Sequence, residues 1–350
     1  MARQQAWSSL AALNRSITIA GGGLAGLSLA SALRLHNVEV TVLEAGGYPR
    51  HRVCGEFISG VSEATLENLG IRDLFSSAHR HRSLKWHHRG RLIHQAKFPE
   101  AAYGISRYQL DEKIRLRLLE LGGKIQTGIR ARAEPRDGLV WAAGRKPCRG
   151  QWIGLKAHVR GLPRTADLEM HMGSNGYAGL AEVEDGWTNL CGLFLIDRQI
   201  PAKGADLLAA YLVAGGNHAL ARDMAAAEWR VGSFSAMAGF ALGRQPSPPN
   251  LLCIGDAESM IPPFTGNGMS MAFQAAEATI SPLVAWTRKE TSWAEATHAV
   301  QHRLKKKFQR RLRVAQALHP FLFSTTGRGF LDAMATLRLL PLSPLLHLIR

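Results

Sequence analysis

The sequence predicts an α/β protein in which a parallel-sheet domain is interrupted by an antiparallel-sheet insertion and followed by C-terminal helices. Three observations predict it. ITIAGGGLAGLSLASALRLHNVEVTVLEA (17–45) reads strand, glycine turn, helix, strand. LLCIGDAESMIPPFTGNGMSMAFQAAEA (251–278) reads buried strand, glycine-rich turn, apolar helix. Between them, GLKAHV (154–159), ADLEMHM (166–172), GYAGLAEVE (176–184) and GWTNLCGLFL (186–195) read as successive antiparallel strands. Two such stretches, more than 200 residues apart, imply one domain split by insertions.

The first stretch carries a binding motif. Ile17 and Ile19 begin a buried strand, and Gly21, Gly23 and Gly26 follow at G-x-G-x-x-G spacing. The glycines permit a tight turn and a close approach of backbone to a pyrophosphate. The next helix points its free N–H groups and positive dipole end at that group. VEVTVL (38–43) is the second strand, and Glu44 ends it where a carboxylate can accept from a ribose. The alternative, a glycine turn that binds nothing, does not explain the terminal acid. These residues specify a dinucleotide and leave FAD and NAD both open.

The second stretch favours a flavin. Asp256 sits at a strand end, where it can meet a ribityl chain, or serve as an ordinary helix cap. Thr265, Gly266, Asn267 and Gly268 open a helix whose N–H groups can stabilise negative charge on a reduced flavin ring.

GGGLAG with Glu44, YGISRYQLD (103–111) and GDAESMIPPFTGNG together resemble FAD-dependent oxidoreductases of the glutathione-reductase-like class. Within it the chain is most similar to the geranylgeranyl reductase and aromatic-ring monooxygenase relatives, over roughly residues 15 to 280. The resemblance implies an FAD/NAD(P)-binding Rossmann-like domain with an inserted antiparallel-sheet substrate domain and C-terminal helices. It divides the chain into FAD-binding parts at 15–75, 101–150 and 245–290, a substrate-domain hairpin at 76–100, a substrate domain at 151–244 and a helical region at 291–350. It implies that Gly21, Gly23 and Gly26 contact the FAD pyrophosphate and Glu44 the adenosine ribose. Arg107 would help hold the cofactor, Asp256 would bind near ribityl and pyrophosphate, and Gly266, Asn267, Gly268 and Met269 would lie against the isoalloxazine. For Arg107 the plainer alternative is a surface charge at a helix start.

Two departures from the family stand out. Only KIQTGIRARAEPRDGLVWAAG (124–144) fills the place of a β-meander, and Ala142–Ala143–Gly144–Arg145 stands where aromatic hydroxylases carry Asp-Gly. NAD(P)H therefore remains the expected electron donor with less support than FAD. Gly186–Trp187 is followed by TNL, without the tryptophan-rich motif and lysine of flavin halogenases, so halogenation is not expected.

PRHRVCGEFISG (49–60) follows the second strand. Arg52 is a candidate FAD contact, and Cys54, Glu56 and Pro263 are candidates for the pocket wall. The alternative is a solvated loop whose Cys54 only packs. Four dispersed cysteines, Cys54, Cys148, Cys191 and Cys253, argue against a zinc site or disulfide framework, so a reducing cytoplasm is expected. His79, His81, His87, His88 and His94 crowd a hairpin turning at Arg89–Gly90, where neighbours face opposite sides and no carboxylate or cysteine completes a set. No metal is expected there.

With 350 residues and 46% hydrophobic content the chain can bury a large core. Its net charge of +16 attracts anions of any kind. The uncharged run from Arg15 to Arg34 could pass for a signal peptide or membrane span, but its glycines fit the nucleotide turn better. From Thr291 a helix sets Leu304, Phe308, Leu312, Ala315 and Leu318 in one stripe, with Arg303, Lys305, Lys306, Lys307, Arg310, Arg311 and Arg313 on other faces. The basic stretch 303–313 either is a solvated face or docks on an anionic membrane, and the tail PLSPLLHLIR (341–350) packs on the body or touches lipid. The expected activity is FAD-dependent oxidation–reduction of a hydrophobic small molecule, by ring hydroxylation or by reduction of C=C bonds in an isoprenoid-like chain. A flavoprotein that binds or matures another protein is the alternative. For a nucleic-acid-binding role, nothing aromatic interleaves the basic runs strongly enough.

Overall fold

The computed structural model describes residues 15–324, Gly327 and Gly329; the apolar tail 341–350 lies outside them. The chain begins with β1 (Ile17–Ala20), α1 (Leu24–Leu35) and β2 (Val40–Glu44), then β3 (Phe57–Ile58) and α2 (Glu63–Asn68). A long hairpin, β4 (His79–His88) and β5 (Arg91–Gly104), precedes α3 (Arg107–Glu120), β6 (Lys124–Thr127) and β7 (Leu139–Trp141). The insertion holds β8 (Trp152–Arg160), β9 (Leu168–Met172), β10 (Gly176–Glu182), β11 (Thr188–Leu195), α4 (Asp206–Ala214), α5 (His218–Ala226), β12 (Glu228–Trp229) and β13 (Ser235–Ala238). The chain then returns through β14 (Gly243–Arg244), β15 (Leu252–Cys253), β16 (Ser259–Met260), α6 (Gly268–Thr287) and α7 (Trp293–Phe323).

One sheet is parallel throughout, in the order β15–β7–β1–β2–β6. Its central strands are apolar on both faces: Ile17, Ile19, Val40 and Val42 are all buried, as a sheet covered on both sides requires. Helix α1 is buried from Leu24 to Leu33 and packs against α3 and α6, so it is apolar all round rather than striped. Residues 128–138, between β6 and β7, contain no strand, which matches the shortened meander.

The second sheet runs β12–β8–β11–β10–β9–β4–β5–β3, with β13 also on β8. Strands β4 and β9 pair in parallel and the other neighbours antiparallel. Period-two alternation divides its faces. Leu155, Ala157, Val159, Leu180, Leu190 and Phe194 pack beneath Leu208, Leu212, Leu220 and Met224 of α4 and α5. The intervening residues face the parallel-sheet domain. The hairpin turns at Arg89–Gly90, where both residues take positive φ, and β5 runs on to Gly104, four residues past the expected boundary.

A capping box starts α7: the Ser292 hydroxyl accepts from the Glu295 N–H at 3.2 Å, and Glu295 Oε2 accepts from the Ser292 N–H at 2.8 Å. Leu304, Phe308 and Ala315 are buried as the stripe predicts. Arg311 is not on the solvated basic face. It is buried and donates from Nη1 to Gln274 Oε1 at 3.1 Å, because its position falls on the side packed against α6. Among the described residues, no helix is long and apolar enough to cross a membrane.

Candidate active site

Two glycines of the first turn are needed for packing and the third for access. A Cβ on Gly21, which has φ +109°, would lie 2.3 Å from the Ala142 carbonyl oxygen, and one on Gly26 would lie 2.0 Å from that of Gly21. A Cβ on Gly23 would meet only Arg107 Nη2, at 3.7 Å. The start of α1 has no side-chain cap, so its first N–H groups are left for a ligand.

Three charged residues surround that turn. Arg107 binds Asp111 through both Nε and Nη2, at 2.6 and 2.7 Å, and Arg52 Nε donates to the same carboxylate at 3.1 Å. Arg107 is buried, which alone would lower its pKa, but Asp111 outweighs this and raises it. Arg52 Nη2 is buried without a hydrogen-bond partner and lies 3.7 Å from Glu44 Oε2. That orphaned donor, the open face of Gly23 and the uncapped helix start together form a site for an anion. Asp111 was not singled out from sequence; its i,i+4 spacing from Arg107 on one helix was the available signal.

Glu44 accepts from the N–H groups of Gly22 and Gly46, at 2.8 and 2.9 Å, and from Arg50 Nη2 at 2.8 Å. Burial pulls its carboxyl up, but the Gly46 N–H and the two arginines hold it below the usual range, so it stays an ionised acceptor. Asp256 follows Gly255, whose φ is +62°, and opens to a narrow cleft shared with Gly268. The surrounding protein raises its carboxyl, with Arg107 and Arg145 opposing.

A cavity lies between the second sheet, the loop at Val53–Ser59 and the segment Met260–Gly266. Cys54 and Pro263 are on its wall, and so is Gly266, at φ +66°. Leu84, Trp86, Phe98, Leu168, Met170 and Phe240 supply apolar bulk, while Gly154, Gly179 and Gly192 leave room on the sheet. Among the described residues, no Asp, Glu, Lys, Arg or His lines it. Burial raises the pKa of the Cys54 and Cys191 thiols and of the Tyr177 phenol, so the polar groups that do line it stay protonated.

Glu56 is placed differently from the sequence expectation. It is fully buried but does not line the cavity. Its φ of +52° turns its side chain to the neighbouring strand β8. There Glu56 Oε1 accepts from Lys156 Nζ at 3.1 Å and from the Arg107 N–H at 2.9 Å, and Oε2 meets His158 Nε2 at 2.6 Å. Burial favours the neutral acid, but Lys156, His158 and the Arg107 N–H outweigh it and keep the carboxyl below the usual range. Lys156 Nζ also lies 3.0 Å from His51 Nδ1. His51, Glu56 and His158 have metal-ligand atoms close together, but the Lys156 ammonium already supplies the positive charge.

Of the helix-start residues, Gly266 reaches the cavity, Gly268 borders the cleft with Asp256, and Asn267 is buried with its Nδ2 donating to the Thr265 carbonyl at 3.1 Å. The Met269 side chain packs into the core cluster instead. The hairpin histidines also differ from expectation: Glu169 and His171 of β9 come beside His87, a carboxylate that only the sheet pairing brings there.

The family described as pyridine nucleotide-disulphide oxidoreductase matches residues 2–80. The menaquinone reductase of Mycolicibacterium smegmatis is 22% identical over 319 residues, covering 74% of this chain and 73% of that protein. Among solved structures, p-nitrophenol 4-monooxygenase PnpA of Pseudomonas putida superposes with a TM-score of 0.76 at 14% identity, covering 96% of both chains. PqsL of P. aeruginosa in complex with 2-aminobenzoylacetate gives 0.72 at 16% identity, covering 91% of this chain and 99% of that one. The flavin-dependent brominase Bmp2 gives 0.72 at 17%, covering 95% and 92%. The chain has the fold of these proteins.

Proposed function

We propose that this chain is an FAD-dependent oxidoreductase that adds hydrogen across a carbon–carbon double bond of an isoprenoid-like chain. The observation that carries the reading is the lining of this cavity, which is apolar and, among the described residues, free of charged side chains. Hydroxylation of a phenolic ring benefits from a base that removes the phenol proton, and among the described residues no carboxylate, histidine or lysine lines this cavity. An apolar chain needs only to be enclosed and kept from water.

The residues fit FAD. Gly21, Gly23, Gly26 and the start of α1 would hold its pyrophosphate, Glu44 its ribose, Arg52 and Arg107 its negative charge, and Asp256 its polyol. FAD, when bound, would supply the hydride. Asp111 orients both arginines from below, and Pro263 to Gly266 form the wall between the cofactor segment and the cavity. Cys54, whose thiol pKa burial raises, lines the cavity together with Cys191 and Tyr177. NAD(P)H is the proposed electron donor.

The menaquinone reductase likeness supports reduction, while the solved structures above keep hydroxylation as the competing reading. The deciding experiment reduces the FAD-loaded protein with NADPH and offers it an isoprenoid quinone and a phenol, each with and without oxygen. Product mass spectrometry, after air has reoxidised any quinol, should show two added hydrogens retained on the isoprenoid side chain from the anaerobic reaction. An added oxygen atom that requires air would replace reduction with hydroxylation. The exposed Lys305, Lys306, Lys307, Arg310 and Arg313 of α7 would hold the protein at an anionic bilayer, where such chains reside. Co-sedimentation with anionic but not neutral vesicles tests this.

A further inference from the structure

Strands β4 and β9 pair His87 with His171 and Lys85 with Glu169. Leu84, Trp86, Leu168 and Met170 of the same strands line the cavity, so alternation sends His87, Glu169 and His171 to the opposite face. There the rings of His87 and His171 stack with centroids 4.7 Å apart, and His171 Nε2 lies 3.2 Å from Glu169 Oε2. One ligand atom from each of the three residues lies within 4.8 Å of the other two.

Two details go beyond proximity. Glu169 Oε1 is anchored by the Thr165 N–H at 2.6 Å, the Thr165 hydroxyl at 2.9 Å and the Ala166 N–H at 3.2 Å, the kind of outer support that orients a ligating carboxylate. His87 Nδ1 is buried with no hydrogen-bond partner, although a buried polar atom is ordinarily satisfied.

We propose that His87, Glu169 and His171 form a binding site for a divalent transition-metal ion, with zinc as the favoured occupant. Two imidazoles and a carboxylate suit zinc, whereas calcium and magnesium prefer all-oxygen sets. Zinc–nitrogen distances of 2.0–2.1 Å imply tetrahedral ligand atoms about 3.3 Å apart. Side-chain rotation can close the remaining gap, because the strand pairing already fixes the three Cα positions.

The ion would tie β4 to β9. Among the described strands, that pairing alone joins the hairpin β4–β5 and the short edge strand β3 to the rest of the sheet. The hairpin carries Leu84, Trp86 and Phe98 of the cavity wall, so the ion would clamp a wall of the cavity from outside, without touching substrate.

The test uses the full chain, stripped with chelator and then dialysed against zinc. Bound metal is counted by elemental analysis, and cobalt(II) substitution provides a spectroscopic signal of nitrogen and oxygen ligation. The wild type should bind one ion per chain, and His171→Ala and the size-preserving His87→Gln should each weaken binding at least about tenfold. His36→Ala, at an exposed position away from the site, should bind as wild type does. Melting temperature without metal reports whether each variant folds, and Glu169→Gln provides an independent ligand loss if one of the histidine variants does not. A wild type that retains no zinc overturns the site, as does zinc retained equally by folded ligand variants.

Discussion

Lys156 and Glu56 form an ion pair at 3.1 Å in which neither side chain has any exposure, between β8 of the second sheet and the loop that follows β2. Glu56 accepts a left-handed φ to make it, a conformation that costs a non-glycine residue about 1 kcal/mol. Glu56→Gln would leave the buried Lys156 charge uncompensated. Stability should fall by about 3–5 kcal/mol, read by urea unfolding. The double variant Glu56→Gln with Lys156→Met should recover much of that loss. A single-variant loss under about 1 kcal/mol would show that the pair is not needed.

Asp111 should govern cofactor affinity without touching the cofactor. Asp111→Asn removes the charge that orients Arg107 and Arg52. FAD affinity should weaken about 10–100-fold, by analogy with the loss of supporting partners at other ligand sites. Quenching of FAD fluorescence on titration measures it, and an unchanged affinity would mean that the two arginines need no support.

His51 should make the fold sensitive to mild acid. Its pKa is lowered to about 4 by burial, then by Lys156 and His158, and its Nδ1 faces the Lys156 ammonium at 3.0 Å. The unfolded chain takes up this proton near pH 6.5, before the folded chain does. Stability is therefore complete above about pH 6.5 and is lost as pH falls towards about 4. The full shift would correspond to about 3 kcal/mol, and partial exposure of the ring reduces this to about 1–2 kcal/mol. Urea midpoints between pH 7 and pH 4.5 should drop less in His51→Asn than in wild type; equal drops would place the sensitivity elsewhere.

Gly179 should set the room available to substrate. A Cβ there would come 3.3 Å from Met170 Sδ, and Leu would extend into the cavity. Gly179→Leu should lower kcat/KM for a long apolar substrate by about tenfold or more, with FAD content unchanged. Equal activity would remove the cavity from the reaction.

What could be read from sequence was whatever lay in contiguous motifs. Gly21, Gly23, Gly26 and Glu44 in one contiguous unit, and Asp256 in a second, are recognisable because each local unit places them without help from the rest of the chain. Lys156 and His158 were not recognisable, since a lysine in a strand ordinarily signals exposure, and only the β8 alternation turns it inward. Glu56 was expected beside Cys54 on the cavity wall; the left-handed turn that separates them has no sequence signature in a glutamate. His87 finds its carboxylate only through the parallel pairing of β4 with β9, two strands about eighty residues apart.

The stretch from Glu44 to Phe57 serves two masters. Its first half offers Glu44 and Arg52 to the nucleotide turn, and its second half offers Val53, Cys54 and Phe57 to the cavity. A ligand that further constrains one half would spare the other ligand part of the entropy of constraining this loop. Linkage then requires reciprocity: whatever factor FAD adds to substrate affinity, substrate must add to FAD affinity. Order of addition becomes a property of one short loop, and a protein stripped of FAD should be a poor binder of its own substrate.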